Sequence, residues 1–349
     1  MELNPRVLIA DNISLEFAES LESIEFLAHP ENVDVMVYYD APAGNFESAR
    51  VQKCLIDFAK RFNLRFLQGH GVGYYALHLN TDEVLVSCGY QNSLVGATGN
   101  LGFHIGEVEL KKILETGVYN AEEYEMYAIQ VIAGKYLKNA SLSFIKEHFN
   151  DLSNKIIEFT GSDLTLQNKR DICQILSQIS VCAVYRDSIE KVDAVLDLSN
   201  ESSVIVEPGK ITNIEPIDSY IGKKLDACFI GGCTGGSIED LRLAASIWKG
   251  KHIPVKVRVC VAPISNEVFL QAIEEGLLEI FIDCGAQILN AGCASCRTTS
   301  KGVLGSNEVM LATSMHNEAG CCGMKDSYVY LANTEIVAKS ALEGKIVRG

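Results

Sequence analysis

Residues 230–242 read IGGCTGGSIEDLR, and this stretch decides the fold class. The apolar run LDACFIGG (225–232) reads as a strand that ends in glycines, and a helix begins at once. Ser237 and Asp240 fit the SxxD capping pattern, and Ile238, Leu241, Ala245 and Trp248 fall on one helical face. Cys233 is therefore expected at a strand end, just before a helix N-terminus. Exposed amides and the positive end of the helix dipole favour a thiolate there. Glycine lets the backbone approach closely.

Working outward, the helix SIEDLRLAASIWKG is followed by a strand VKVRVCVAP, a helix NEVFLQAIEEG and a strand LEIFIDCG. Such repeated βα units predict a parallel sheet covered by helices. The N-terminal third has the same texture. Strand-like VLIA (7–10) and VDVMVYY (33–39) alternate with a helical ESARVQKCLIDFAKRF (47–62). RFLQGH leads to a glycine-rich GHGVGYY (69–75), and VLVSCG (84–89) to VGATGNLGFHIG (95–106). Ligands bind at such strand-end turns in α/β folds. The middle reads as a smaller unit: strand EMYAIQVIAG, helix SFIKEHFND, strand KIIEFTG, then a helix-like DICQILSQISVCAVY. A polar connector, DLSNESSVIVEPGKITNIEP, opens the last part. The expected division is into units of residues 1–120, 121–185 and 186–349.

A chain of 349 residues is large enough for two or three packed units. A net charge of −15, from 45 acidic and 30 basic residues, disfavours nucleic acid and anionic membrane surfaces as partners. No apolar run approaches the roughly 18 residues of a spanning helix, and the start MELNPRVLIADN lacks an export signal, so a cytoplasmic location is expected. Twelve cysteines in such a chain are expected to be mostly reduced. Cys228 and Cys260, in apolar strand-like runs, read as core.

Cys293 and Cys296, in AGCASCRTTS (291–300), emerge through an asparagine and glycine turn after LEIFIDCG, so they too are expected at the end of a strand. Three soft thiolates at such junctions suit zinc or an iron-sulfur cluster. On spacing alone the pair could equally be a zinc or redox pair, completed by Cys321 or Cys322.

Four ordered segments resemble one family. GCTGGSIEDLRLAA is similar to SCTNxRxEDLRxAA of the aconitase and isopropylmalate isomerase large-subunit superfamily, and GCASC to its GCxxC. LATSMHNEAGCCG resembles its STSNRNFxGRxG, and VYLANTEIVAKSALEGKI its VYLASPExAAASALxGKI. The whole chain looks like a shortened, divergent member, most specifically over residues 218–349. The resemblance implies an α/β, aconitase-like fold: three α/β units with mostly parallel sheets around a central iron-sulfur site, the second unit shortened and the third carrying the cysteines. It also implies that Cys233, Cys293 and Cys296 hold three irons of a [4Fe-4S] cluster. The remaining iron would lack a cysteine ligand and act as a Lewis acid on a hydroxy acid.

The pattern breaks at instructive places. Both arginines of the family's NRNFxGRxG, which grip substrate carboxylates, are replaced by His316 and Cys321, and the arginine after the first cysteine is Ser237. Arg242 and Arg297 lie nearby in sequence. The family's GDSHT, which carries an acid-base dyad, corresponds to GYQNS, placing Tyr90, Gln91 and Asn92 there, and Tyr74 stands at the histidine of GxxHQ. Asn92 cannot shuttle protons, and an unperturbed tyrosine is a poor base near neutral pH. His70 could replace a lost histidine, while Tyr74, Tyr75 and Tyr90 could line a reworked pocket. The adjacent Cys321 and Cys322 could bind a further metal position or carry sulfur.

The expected activity is a [4Fe-4S]-dependent hydro-lyase or isomerase acting on an unusual small hydroxy acid. Cys233, Cys293 and Cys296 are its cluster ligands, and His70, Tyr74, Tyr90, His316 and Cys321 its candidate catalytic residues. Family enzymes use a swivelling domain that supplies a catalytic serine; none follows residue 349, so a small partner subunit is implied. A sulfurtransferase whose free iron binds sulfide is the alternative, and a non-catalytic iron-sulfur scaffold or sensor a further one.

Overall fold

A computed structural model describes residues 2–39, 41–72, 79, 83–135, 137–199, 203–298 and 300–349, apart from the side chains of residues 90, 91 and 151. Its architecture is α/β, with three main sheets that are mostly parallel. The first has five parallel strands in the order Arg65–Gln68, Val33–Val37, Arg6–Ala10, Val84–Ser87, Leu101–His104. The chain winds outward on one side from Arg6–Ala10, then returns to start the other side with Val84–Ser87. The two strands at that reversal lie side by side, and the loops leaving them diverge to opposite faces, which opens a crevice at their C-terminal ends.

The second sheet is also all parallel, in the order Cys182–Tyr185, Lys155–Thr160, Glu125–Ile132, Ala194–Asp197. Its last strand lies past residue 185. The helix expected through residues 171–185 is two elements instead: the helix Leu166–Leu176, closed at Ser177, and the strand Cys182–Tyr185. The β-branched and small residues after Ser180 find a partner in Lys155–Thr160, and that pairing overrides the helical reading.

The third sheet has seven strands: Ile214–Pro216, Val204–Val206, Tyr328–Leu331, Val309–Ala312, Ala227–Gly231, Arg258–Ala262, Gln287–Ile288. The last five are parallel, and the polar connector supplies the two antiparallel edge strands. A second reversal falls between Ala227–Gly231 and Val309–Ala312. The segment LEIFIDCG is not a strand. Leu277–Cys284 is a helix bounded by Gly276 and Gly285, both left-handed, and it buries Leu277, Phe281 and Cys284. That i, i+4, i+7 spacing is helical, and it prevails over the strand preference of the β-branched residues. Cys293 and Cys296 thus follow the two-residue strand Gln287–Ile288.

The helix Ile238–Trp248 is fixed at its far end by Trp248, fully buried, whose indole Nε1 donates to the Ala338 carbonyl at 2.9 Å. Phe281 meets the same indole edge-on, with ring centroids 5.6 Å apart. This anchors the C-terminal end of the helix whose N-terminus follows the Cys233 loop. No helix among the described residues is long and apolar enough to cross a membrane.

Candidate functional site

The loop after Ala227–Gly231 is held by one threonine from the neighbouring strand. The Thr313 hydroxyl accepts from the Gly231 amide at 2.9 Å, and the Thr234 hydroxyl donates to the Thr313 carbonyl at 2.8 Å. Lys138 Nζ, from the second unit, donates to that same carbonyl. A Cβ at Gly235 would overlap the Thr313 side chain, so glycine is needed there for close approach. Gly232 is left-handed at φ 74°. Ser237 caps the helix as expected, accepting from the Asp240 amide at 3.1 Å while Asp240 returns the bond. That role removes Ser237 from the list of groups free to grip a ligand.

Cys293 and Cys296 stand at the two ends of one tight turn, the Cys296 amide donating to the Cys293 carbonyl at 3.0 Å. The Gly292 amide ties this loop to Pro263 at 3.0 Å. Cys233 and Cys293 both pack on the core around Tyr39, Val72, Leu94 and Ile264. Cys296 lies close enough to Cys233 that negative charge on either disfavours it on the other. Burial foremost, then Cys296, pushes the Cys233 thiol up to about 12, with Lys138 pulling the other way. Desolvation thus outweighs the helix N-terminus, which alone was expected to favour a thiolate. A bound cation would reverse the balance.

A cavity of about 270 Å³ joins this region to the first sheet. Asn12 and Tyr39 enter it from the ends of neighbouring strands, and Cys88 and Gly89 from the strand across the reversal. Cys293, Cys296, Arg297, His316 and Cys321 enter from the third unit. The cavity therefore lies where the C-terminal strand ends of two parallel sheets meet, and one wall is the first sheet's reversal. Burial pushes the Cys88 thiol up to about 12. Arg297 brings a guanidinium beside Cys296, and its charge is felt by half-buried Asp11. Among the described residues, no three His, Cys, Asp or Glu side chains are placed to hold a single metal ion.

The singled-out residues fall unevenly around this cavity. His316 lines it, with Nδ1 3.8 Å from a Glu318 oxygen, as does Cys321. The Cys321 and Cys322 sulfurs lie 3.3 Å apart, and the fully buried Cys322 thiol also bonds with Cys296. These two thiols, then burial, drive Cys322 far above the usual thiol range. His70 is not among the lining residues; its carbonyl accepts from the Asn266 amide at 3.1 Å, joining the first and third units. Tyr74 and Tyr75 lie outside the described residues. Tyr90 opens the 3-10 helix Tyr90–Thr98. Asn92 is 2% exposed and its amide is fully engaged: Oδ1 accepts from Ser87 Oγ at 2.6 Å, and Nδ2 donates to the carbonyls of Phe103 (2.8 Å) and Ser87 (3.2 Å). Arg242 forks onto Glu275 at 2.7 and 2.6 Å on the surface.

Sequence reasoning missed a second polar cavity, of about 470 Å³, on the Lys138 side of Cys233. Lys138, Asp171, Thr234 and Asp240 line it. Burial pushes Lys138 down to about 8, against the pull of Asp240 and Asp171. Asp171 is raised well above the usual carboxylate range by burial and Asp240, and Asp240 is raised by burial. Nothing in YLKNASL or NKRDICQ marks these residues, since their burial arises only when the second unit closes on the third.

The description of the aconitase family (aconitate hydratase) matches residues 188–344, which span the strands and helices that position all three cysteines. Residues 188–344 of the chain are thus similar to that family. It is 27% identical over 374 residues to the homoaconitase large subunit of Thermus thermophilus, covering 97% of this chain and 90% of that one. It is 28% identical over 374 residues to the 3-isopropylmalate dehydratase large subunit of a Sulfurovum species, covering 93% and 87%. The crystal structure of Thermococcus kodakaraensis aconitase X in its holo-form has the same fold, with a TM-score of 0.62 and 15% identity over 97% of this chain and 90% of that one. The chain thus spans most of the length of these two large subunits.

Proposed function

We propose that the chain is the large subunit of an iron-sulfur hydro-lyase or isomerase acting on a small hydroxy acid with an unusual carboxylate arrangement. The observation that carries this reading is the gathering of Cys233 and the Cys293 and Cys296 turn beside one cavity with Arg297 and His316. The donor set fits a [4Fe-4S] cluster. Three soft thiols come from two loops, and a cluster spreads its thiolates over separate irons. Such a cluster, held by three cysteines, supplies one Lewis-acidic iron with room for substrate oxygen.

The chain's own residues supply binding and proton handling. Arg297, next to Cys296, is placed to hold a carboxylate, replacing cation lost at His316 and Cys321. His316 can hold or move a proton at its imidazole in the same cavity. Cys321 narrows the wall on that side. Tyr74 and Tyr90 remain candidates for the missing dyad by their sequence positions, and His70 by its place beside the glycine-rich loop. The relatives named above are large subunits, which supports a small partner subunit here. They are named as hydro-lyases, so sulfur transfer finds no support among them.

The test is anaerobic purification with iron and sulfide analysis and electron paramagnetic resonance, on wild type and Cys233→Ala. About four irons and four sulfides per chain, lost in the variant, with a resonance that shifts when a hydroxy acid is added, is the expected result. Stoichiometric zinc, or no metal under strict anaerobiosis, would overturn the reading.

A further inference from the structure

Arg170 sits in the helix Leu166–Leu176 of the second unit and is only 9% exposed. Its Nε and Nη2 have no hydrogen-bond partner. These two nitrogens form the side-on edge of the guanidinium, the edge that receives both oxygens of a carboxylate. Gln174, four residues on and therefore on the same helical face, is 1% exposed. Its Oε1 accepts from Ser93 Oγ at 2.7 Å, which leaves Nε2 unpartnered as well. One further turn along the same face, the Ser177 hydroxyl is also unpartnered. A buried helix face thus presents two sets of unmet donors, with the Ser177 hydroxyl just past its end. Buried polar groups are almost always satisfied, and a buried unpaired cation least often goes without a partner.

The surroundings do not meet this demand. The charges of Asp171, Glu239 and Glu267 reach Arg170, yet among the described residues none forms an ion pair with it. Its position is central. Asp171, the next residue, lines the 470 Å³ cavity with Thr234, the residue after Cys233. Ser93 belongs to the first unit, and Glu239 to the first turn of the helix that follows Cys233. The helix of Arg170 thus stands where the second unit meets both others.

We propose that Arg170, with Gln174 beside it, is a substrate-binding residue that takes a carboxylate side-on, restoring on the second unit the grip lost at Ser237, His316 and Cys321. This rests on the hydro-lyase reading for its substrate, but not on the cluster for its test. Donors without acceptors select an anion, and the planar fork selects a carboxylate.

The experiment uses the full chain, with and without cluster, as wild type, Arg170→Met and Arg170→Lys. Thermal melting and calorimetric titration are run with succinate, malate and citrate, with succinamide as the uncharged control and inorganic phosphate as the competing anion. Carboxylates are expected to stabilise wild type and to bind it at least about tenfold more tightly than Arg170→Met. Arg170→Lys, which keeps the charge and the stem but not the fork, is expected to fold normally and to bind with intermediate affinity. Ligand-free Arg170→Met is expected to melt at or above the wild-type temperature. Equal carboxylate affinity in wild type and Arg170→Lys, equal response to phosphate, or no response in wild type would overturn the assignment. Cluster content measured in the same samples separates its failure from that of the proposed activity.

Discussion

The Thr313 hydroxyl accepts from the Gly231 amide at 2.9 Å and lies 3.1 Å from the Gly231 carbonyl, bridging two parallel strands where the third sheet reverses. A single hydroxyl thereby satisfies backbone groups that the diverging strands leave unpaired. The same residue sets the depth of the Cys233 loop, because its side chain fills the space that a Cβ at Gly235 would need.

Thr313→Val keeps the shape and removes the bridge, leaving the buried Gly231 amide without an acceptor. It is expected to cost about 1–3 kcal/mol in urea unfolding. Iron content is expected to fall with it, because the loop rather than the core loses its restraint. Unchanged stability and full iron content would show that the cysteine loop is held elsewhere.

Arg297 and Arg242 make opposite predictions, though both follow cysteine motifs in sequence. Arg297 lines the cavity with Cys293 and Cys296, whereas Arg242 is spent on an exposed fork with Glu275. Arg297→Met is expected to weaken hydroxy-acid binding roughly 10- to 100-fold, read from the concentration that shifts the cluster's resonance. Arg242→Met is expected to leave binding unchanged and stability close to that of wild type. A reversed ranking would place the carboxylate on the outer side of the helix.

What was legible follows from how local each signal is. The strand, glycine, cysteine and capped helix of 225–248 lie in one short stretch, so each could be read from its neighbours. Asn333 caps Thr334–Glu343 in the same local way, accepting from the Ile336 amide at 2.9 Å. Leu277–Cys284 reads as a strand because its β-branched content speaks locally, while the contact that makes it a helix, Phe281 against Trp248, spans distant chain. Arg170 was not legible at all. LQNKRDIC reads as a polar surface helix, and its guanidinium is buried only by the meeting of three units.

Lys138 gives a pH signature whose sign is fixed by burial. Its folded pKa is pushed down to about 8, below the 10.5 of an ordinary lysine, so the unfolded chain holds the proton more tightly. Stability contributed by this group is therefore lowest below about pH 8 and rises as pH climbs toward 10.5. Lys138→Met removes that rise. The difference between wild type and variant in urea unfolding is expected to shift by about 1–3 kcal/mol from pH 7.5 to 10.5, in favour of wild type. A difference that stays flat with pH would mean that Lys138 titrates as a solvated side chain.

The family resemblance puts Asn92 at the place of a histidine, and the environment of Asn92 argues against restoring a dyad there by one change. Its carboxamide uses both ends at once, accepting from Ser87 and donating to Phe103 and Ser87 carbonyls, all within a buried pocket. An imidazole cannot reproduce two donated bonds and one accepted bond in that plane, and an aspartate would set a charge against two carbonyls. Asn92→Asp and Asn92→His are each expected to cost roughly 2–4 kcal/mol and to raise no turnover. Thermal melting together with a hydration assay on the loaded enzyme measures both. If Asn92→His instead folds at wild-type stability and accelerates turnover, the proton path still runs through residue 92, and the asparagine is a lesion rather than part of the frame.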